Sequence, residues 1–211
     1  MSNKSGAGNI LIVSAPSGTG KTTLCRRLVE RQAPAIRYSI SHTTREPRGR
    51  ERPGVDYYFV DDTEFDRMIA AHELAEWAAI HQHRYGTSVR EIERAIADGV
   101  DLLLDIEGQG AVQIKKRFPQ AILIFILPPN LDVLAERLRR RGTESAEEIK
   151  RRLANAQEEL NFIQHYEFVV VNDRLEEAVD LLEAIVLAGR QRRERQADAI
   201  GRFAIAQKGT G

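Results

Sequence analysis

The sequence predicts an α/β fold in which a doubly wound, mostly parallel sheet is covered by helices on both faces. Short runs rich in Ile, Val and Leu, at residues 9–14, 100–106, 121–127 and 168–171, alternate with segments of helical periodicity. Strands buried on both faces have this continuous apolar character, and parallel strands are joined by helical crossovers. The interval 36–88 departs from the alternation, because its short strands alternate polar and apolar residues around one helix. That interval predicts a small mixed α+β lobe inserted into the core.

Each element follows from a local pattern. Helices are expected where apolar residues recur at helical spacing behind an N-cap candidate or before Gly or Pro. Asp61, for example, is an N-cap candidate, Ser145 and Glu148 form a capping-box pattern, and Gly99 follows a predicted helix end. The predicted strands are 9–14, 38–44, 57–60, 74–80, 83–87, 100–106, 121–127 and 168–171. The predicted helices are about 22–32, 61–71, 88–98, 109–117, 131–141, 146–163 and 175–195.

The length predicts a single domain. A chain of 211 residues suits one domain of ordinary size with inserted segments, and no internal repeat is visible. The expected domain covers 1–211 and has three parts: a core at about 9–35, 100–135 and 165–205, a lobe at about 36–90, and a helical lid at about 137–160.

Composition excludes several classes of protein. Lys plus Arg and Asp plus Glu both number 31, so the chain lacks the basic excess of a general nucleic-acid binder. No apolar run approaches the roughly 20 residues of a membrane span. The one cysteine, Cys25, cannot form an internal disulfide, and no signal peptide is visible at the start. We therefore expect a cytoplasmic protein whose partners are neither nucleic acid nor membrane.

The segment APSGTGKT, residues 15–22, lies between the first predicted strand and the first helix. It fits the P-loop pattern G-x-x-x-x-G-K-[ST], apart from Ala15 in place of the first glycine. Glycines let backbone N–H groups approach phosphate oxygens, and the following helix N-terminus adds partial positive charge. Lys21 is expected to reach the β- and γ-phosphates, and the Thr22 hydroxyl to ligate Mg²⁺. The motif predicts a P-loop NTPase-type core whose phosphate-binding residues are Ala15, Pro16, Ser17, Gly18, Thr19, Gly20, Lys21, Thr22 and Thr23.

The inserted lobe carries candidates for binding a second phosphate. Arg45 and Arg48 lie three residues apart and are followed by Tyr57. Guanidinium groups bind phosphate oxygens bidentately, and a tyrosine hydroxyl can add a further hydrogen bond. A solvated basic loop, partly neutralised by Glu46 and Glu51, is the alternative that the residues alone leave open.

At this point the sequence resembles the guanylate kinases, which transfer a phosphoryl group from ATP to GMP. The resemblance runs in family order over about residues 9–190 and rests on the blocks VSAPSGTGKTTL, SHTTREPR, GVDYYFV, ELAEWA, YGT, LLDIEGQGA, IFILPP, ERLRRRGTE and VVVND. It implies ATP-dependent phosphorylation of GMP, and also of dGMP, with Mg²⁺ as the cofactor. It leaves the oligomeric state open.

The resemblance assigns roles in the second site. Ser41 and Glu76 would read the guanine, whose O6 accepts a hydrogen bond and whose N1 and N2 donate. Adenine would leave such buried groups unpaired, which can discriminate by ~10⁴–10⁵. Asp105 follows a buried strand, where ligands bind in open α/β sheets, and would help to organise Mg²⁺ through water. The implied GMP-binding residues are Ser41, Arg45, Arg48, Tyr57, Glu76, Tyr85, Thr87, Asp105 and Glu107.

The segment 137–153 is rich in arginine. Spacing alone leaves open that these residues offset a helix dipole and form i,i+4 ion pairs. The resemblance implies instead that Arg141 and Arg152 close over ATP and contact the transferring phosphoryl, and that Asn172 lies near the adenine. With Lys21 and Arg45, these two arginines complete the expected catalytic set.

Three departures and three rivals accompany this interpretation. Ala15, Glu107 and Gly108 differ from the common pattern at their positions. A ribose 1,5-bisphosphate kinase would share the P-loop but would have no purine to read. A non-catalytic guanylate-kinase-like module would usually lack an intact Gly-Lys-Thr, and a P-loop GTPase would need an N-K-x-D base motif.

Overall fold

The computed structural model describes residues 8–80, 82–140 and 146–208. The strands within these ranges are β1 (Ile10–Ser14), β2 (Ile36–Tyr38), β3 (His42–Thr43), β4 (Tyr58–Phe59), β5 (Leu74–Ile80), β6 (His83–Ser88), β7 (Asp101–Asp105), β8 (Ile122–Leu127) and β9 (Phe168–Val171). The α-helices are α1 (Lys21–Gln32), α2 (Asp62–Ala70), α3 (Val89–Ala97), α4 (Gly108–Arg117), α5 (Leu131–Arg140), α6 (Ala146–Glu159), α7 (Leu175–Arg190) and α8 (Ala197–Lys208). Short 3₁₀ helices cover Leu160–His165 and Arg193–Arg195.

Five strands form a parallel sheet in the order β2-β7-β1-β8-β9. Helices α1 and α7 pack on one face through a core that includes Leu24, Leu28 and Leu182. Helices α3 and α4 cover the other face, where Ile92 and Ile114 are fully buried. The predicted doubly wound α/β class is therefore confirmed, and the carboxyl ends of β1 and β7 meet where such sheets bind ligands.

Strands β4-β3-β6-β5 form a second, mixed sheet, which α2 covers. Phe65 and Met68 of α2 pack against Leu74 in a separate small core. Asp61 caps α2, as expected, because its side chain accepts a hydrogen bond from the backbone N–H of Glu64. This sheet lies in the interval where the sequence predicts an inserted mixed lobe.

The single predicted strand over 38–44 is wrong. The chain leaves β2 in the five-stranded sheet and begins β3 in the other sheet at His42, so the predicted lobe start at about residue 36 falls on β2. The backbone N–H groups of Ser39 and Ile40 still bond to the first sheet and to α3, through Leu103 O and the Glu91 carboxylate. Alternation of side chains does not record such a change of partner.

Two helical predictions differ at their ends. Helix α6 stops at Glu159 and continues as a 3₁₀ turn, so the predicted helix to residue 163 is too long. Helix α7 stops at Arg190, and α8 follows where no regular element was expected. Among the residues described, no helix is long and apolar enough to cross a membrane.

Candidate active site

The P-loop joins β1 to α1. Gly18 has a φ of 93° and Gly20 a φ of 97°, in the left-handed region that favours glycine. A Cβ at Gly18 would also lie 2.7 Å from a methyl carbon of Leu138, so α5 closes the outer side of the loop. The loop can therefore hold its conformation only with glycine at both positions. Ala15 does not have a positive φ, which explains why a methyl group is tolerated there.

Lys21, the first residue of α1, is held by two carboxylates. Its Nζ lies 2.8 Å from Asp105 Oδ1 and 3.9 Å from Glu107 Oε1. Burial alone would lower the pKa of the ammonium, but these two acids more than offset that effect and raise it. Lys21 is therefore positively charged at the mouth of the P-loop.

Asp105, the last residue of β7, is the hub of this region. Its Oδ2 accepts hydrogen bonds from Tyr38 Oη at 2.7 Å and Thr22 Oγ1 at 3.2 Å. Sequence reasoning missed Tyr38, because nothing in an edge strand signals that a tyrosine points to a functional acid. The strand register explains the contact, since β2 pairs directly with β7.

The donors present fit a magnesium ion. Thr22 and Asp105 supply a hydroxyl and a carboxylate, which are the oxygen ligands that Mg²⁺ prefers. Within the described part of the chain no group of three or more His, Cys, Asp or Glu side chains could hold a metal. Mg²⁺ in nucleotide sites commonly uses one or two protein ligands, with phosphates and waters completing the shell, so this sparse set agrees with such an ion.

A cavity of about 280 Å³ opens beside the P-loop. Asn172 Nδ2 donates to the Thr19 carbonyl at 2.7 Å, which fixes the predicted residue against the loop. Arg137 also lines this cavity and donates to the carbonyls of Thr19 and Asp173, each at 3.3 Å. Arg137 was not predicted as a site residue, although it belongs to the arginine-rich segment that the sequence made conspicuous.

A second cavity, of about 290 Å³, lies between the two sheets. Six predicted GMP-binding residues and the predicted Mg²⁺ ligand Thr22 line it together: Ser41, Tyr57, Glu76, Tyr85, Asp105, Glu107 and Thr22. Tyr38, Asp56 and Gly110 also line it and were not predicted. Because Thr22 and Asp105 belong to both the P-loop region and this cavity, a molecule bound here would face one bound at the P-loop.

Glu76 is the buried acid of this cavity. It is 5% exposed, and Thr87 Oγ1 donates to its Oε1 at 2.7 Å from the paired strand. Burial raises the pKa of the carboxyl to about 7, although the hydrogen bonds from Thr87 act in the opposite direction. Thr87 itself is fully buried, so its hydrogen bond to Oε1 orients the acid, and Glu76 lines the cavity.

Arg45 is also buried, and its guanidinium is paired with a carboxylate of the same loop. Nη1 and Nη2 donate to the two carboxylate oxygens of Glu51 at 3.0 Å, and Nε donates to Tyr85 Oη at 3.3 Å. The guanidinium lies 5.4 Å from the ring centroid of Tyr57. Arg48 is exposed and contacts Glu51 through its backbone N–H. The structure thus gathers Arg45, Tyr57 and Tyr85, but only the two tyrosines line the cavity; Arg45 lies behind them in the contacts described, and Arg48 is exposed.

The predicted lid is represented by α6. Arg152 Nη1 lies 3.4 Å from Ser17 Oγ of the P-loop, so this arginine is next to the phosphate-binding segment. Helix α6 packs on α5 through Ala156 against Leu134 and Leu138. Arg141, the other predicted lid arginine, lies outside the described residues.

Comparisons with known proteins agree with this geometry. The family model described as "Guanylate kinase" matches residues 7–188. The guanylate kinase of Desulfitobacterium hafniense strain Y51 is 47% identical over 90% of this chain and 94% of its own length. That of Dechloromonas aromatica strain RCB is 49% identical over 86% of this chain and 90% of its own.

A solved structure shows the same architecture. The crystal structure of guanylate kinase from Anaplasma phagocytophilum superposes with a TM-score of 0.73 at 34% sequence identity, covering 90% of this chain and 89% of the other. With the P-loop, the two facing cavities and the matched family model, these relatives show that the chain belongs to the guanylate kinase family.

Proposed function

We propose that the two facing cavities hold the two substrates of this reaction, ATP at the P-loop and GMP between the sheets. As a guanylate kinase, the chain transfers a phosphoryl group from ATP to GMP and yields GDP. The observation that carries the assignment of residues is the position of Asp105. It bonds to Lys21 and Thr22 of the P-loop and lines the cavity that contains Glu76.

On the GMP side, Glu76 and Ser41 would recognise the base. An ionised Glu76 can accept hydrogen bonds from N1–H and N2–H of guanine, while Ser41 donates to O6. Thr87 keeps Glu76 oriented through its Oε1. Ser41 and Glu76 line the same cavity, which supports their joint action on one ring.

The phosphate of GMP would bind near Arg45, Tyr57 and Tyr85. Arg45 already forms a bidentate pair with Glu51, in the geometry with which guanidinium binds phosphate. A phosphate at this end would therefore compete with Glu51 for Arg45. Arg48 would contribute only after its side chain turns inward, because in this structure it is exposed.

On the ATP side, residues 15–23 of the P-loop would surround the phosphates, all of them except Pro16 with a backbone N–H to donate. Lys21 would exchange its contact with Asp105 for the phosphate oxygens, and Arg152 would add positive charge from α6. Asn172 and Arg137 line the cavity that would receive the adenosine. Arg141 is proposed for the same lid on the resemblance alone.

The chemistry asks little covalent help from the protein. The GMP phosphate is already an anion, so attack on the γ-phosphorus needs no general base. Positioning the two anions in line and neutralising the spreading negative charge provide most of the rate enhancement. Mg²⁺, when bound, neutralises part of the charge on the ATP phosphates. Thr22 would hold it directly, and Asp105 through water.

The remaining proposals concern partners and location. ATP and GMP are the proposed partners, with no role for nucleic acid or membrane, since the charges balance and one small cavity serves each nucleotide. The single cysteine, Cys25, is buried and unpaired, which supports action in the reducing cytoplasm.

A coupled assay of ATP consumption tests the substrate assignment. GMP, dGMP, AMP and ribose 1,5-bisphosphate are offered separately to the purified protein. Turnover with GMP and dGMP, at kcat/KM at least 10³-fold above AMP, is expected from the paired base contacts. Preference for ribose 1,5-bisphosphate would contradict the role of Ser41 and Glu76.

A further inference from the structure

Helix α4 lies directly against the carboxylate of Glu76. A Cβ added at Gly110 would be 2.6 Å from Glu76 Oε2 and 3.2 Å from its Cδ, while the next atom, Ile106 Cδ1, is 3.5 Å away. The distance of 2.6 Å is shorter than any real Cβ contact. The acid can therefore hold this position only while residue 110 has no side chain. Gly110 sits in ordinary helical backbone, so conformational freedom is not the reason for a glycine there.

Glycine at this position costs helix stability. Gly is less favourable than Ala in a helix, because its backbone loses more conformational freedom on folding. The closest obstacle to a methyl group is the carboxyl end of one side chain, and none of the three nearest atoms belongs to a backbone. A larger residue would therefore displace the carboxylate rather than disrupt the fold.

Gln113, one turn further along α4, holds the same segment from the side. Its Oε1 accepts from the backbone N–H of Trp77 at 3.3 Å, and its Nε2 donates to the Trp77 carbonyl at 3.2 Å. The amide thus pairs with the peptide groups of the residue that follows Glu76. This contact fixes the distance between α4 and β5, and Gly110 provides the space that this distance leaves for the acid.

The carboxylate is consequently defined on two sides. Thr87 binds Oε1 from β6, and α4 bounds Oε2, which lies next to the cavity that Gly110 also lines. Helix α4 begins three residues after Asp105, at the end of β7. The connection from β7 to α4 therefore supplies both Asp105, which contacts the P-loop, and Gly110, which packs against Glu76.

We infer that Gly110 and Gln113 are positioning residues that set purine specificity by fixing the Glu76 carboxylate for a base with two adjacent N–H donors. This inference rests on the proposed role of Glu76 in reading guanine. Neither residue needs to touch the substrate, because both act on the place and direction of the acid.

The direct test compares Gly110→Ala with Gly201→Ala. Gly201 lies in α8, and a Cβ added there meets no atom within 4 Å, which makes it a matched control. Equilibrium binding of GMP and of IMP, which lacks the 2-amino donor, is measured for each variant by calorimetry, with kcat, both KM values and Tm. Gly110→Ala should lower the GMP-to-IMP affinity ratio at least tenfold, with an unchanged ATP KM and an unchanged or higher Tm. Gly201→Ala should leave the ratio unaltered.

Gln113→Leu tests the same inference without placing an atom beside the acid. It removes both hydrogen bonds to Trp77, and the GMP-to-IMP ratio should fall about threefold or more. Gln113→Glu keeps the acceptor for the Trp77 N–H and loses the donor, so its ratio should lie between those of wild type and Gln113→Leu. A ratio within twofold of wild type in both Gly110→Ala and Gln113→Leu overturns the inference. An equal loss of GMP affinity, ATP affinity and Tm overturns it as well.

Glu76→Gln separates this inference from the proposed function. If Glu76→Gln lowers the GMP-to-IMP ratio and the α4 variants do not, only the positioning role fails. If Glu76→Gln leaves the ratio unchanged, the proposed reading of guanine fails with it.

Discussion

The two nucleotide cavities are built in opposite ways. The phosphate-binding part of the first site is one contiguous segment, 15–23, whose glycines expose the backbone and whose Lys21 begins a helix, while Arg137 and Asn172 complete the cavity beside it. The cavity between the sheets collects residues from β2, β5, β6 and β7, from helices α1 and α4 and from the loops before β3 and β4, with Glu76 and Asp105 contributed by different sheets. A contiguous site can be identified from local sequence, whereas a dispersed site needs the fold to bring its members together.

The two proposed phosphate-binding regions nevertheless hold their main cationic side chains in the same way. Lys21 is paired with Asp105, and Arg45 with Glu51, so each cation is held by a carboxylate before phosphate competes for it. The two carboxylates differ in origin. Asp105 comes from β7, far from Lys21 in sequence, whereas Glu51 lies in the same loop as Arg45. Substitutions in the ATP site should therefore lower the rate of phosphoryl transfer, and substitutions in the GMP site should lower the selectivity for GMP.

The largest effect is expected for Lys21→Ala. Removing the ammonium withdraws charge from the transferring phosphoryl, and kcat should fall by about 10³-fold, the loss typical of one preorganised electrostatic contact. Steady-state kinetics with ATP and GMP measure it, and Lys116→Ala, on the exposed side of α4, is the control. Turnover within tenfold of wild type would remove Lys21 from the transfer step and weaken the contrast between the cavities.

Glu76→Gln should have the next largest effect, confined to the other substrate. The amide can accept only one of the two N–H groups of guanine and presents an unmatched donor, so kcat/KM for GMP should fall about 10²-fold. The KM for ATP should stay within twofold of wild type. A comparable loss for both substrates would show that the cavities are not functionally separate.

The pH dependence of kcat/KM for GMP should differ from that of the KM for ATP, and the expected change is about tenfold. Burial raises the pKa of Glu76 to about 7, and only its ionised form accepts both guanine N–H groups. As pH falls below 7 the acid gains a proton, so kcat/KM for GMP should be about tenfold lower at pH 6 than on the plateau. Lys21 keeps its proton across this range because its pKa is raised, so the KM for ATP should stay flat.

The GMP phosphate also titrates near pH 6, and Glu76→Gln provides the correction. That variant lacks the carboxyl and should show only the shallower change due to the substrate. An identical acid limb in wild type and variant would assign the whole pH dependence to GMP.

The smallest effect is expected for Ala15→Gly, which restores the common P-loop pattern. Ala15 has an ordinary backbone conformation and is buried, so no positive φ needs relief. The kcat and both KM values should change by less than threefold. A tenfold gain would mean that the methyl group impedes the loop.

Sequence reasoning reached the P-loop, the alternation of buried strands with helices, and half of the residues that line the second cavity. The cavity residues were reached through family resemblance, since Glu76 and Ser41 are ordinary polar residues in isolation. Tyr38, Gly110 and Arg137 were missed because their roles depend on what lies opposite them: Asp105, Glu76 and the Thr19 carbonyl. The spacing of residues along the chain predicts the helix or strand to which a residue belongs, but it does not predict which residue of another element will contact it.

Gly108 illustrates the same limit. Its departure from the common pattern had no explanation from sequence, but an added Cβ would lie 2.6 Å from the ring of Phe162 in the 3₁₀ turn after α6. The small residue at the start of α4 and the aromatic ring 54 positions later therefore fit each other. Glu107 lines the expected cavity and also faces Lys21, so its longer side chain still reaches both regions.

Along the chain, the second sheet is connected to the first by two short crossings, one between β2 and β3 and the other between β6 and α3. The backbone N–H of Ile40 donates a hydrogen bond to Oε1 of Glu91 at 2.9 Å, which links the two crossings. Ala75 of β5 also packs into the core of the first sheet, and Gln113 of α4 is hydrogen-bonded to Trp77. The wall of the nucleotide cleft that carries Glu76 is therefore anchored to α4 and to the core of the first sheet.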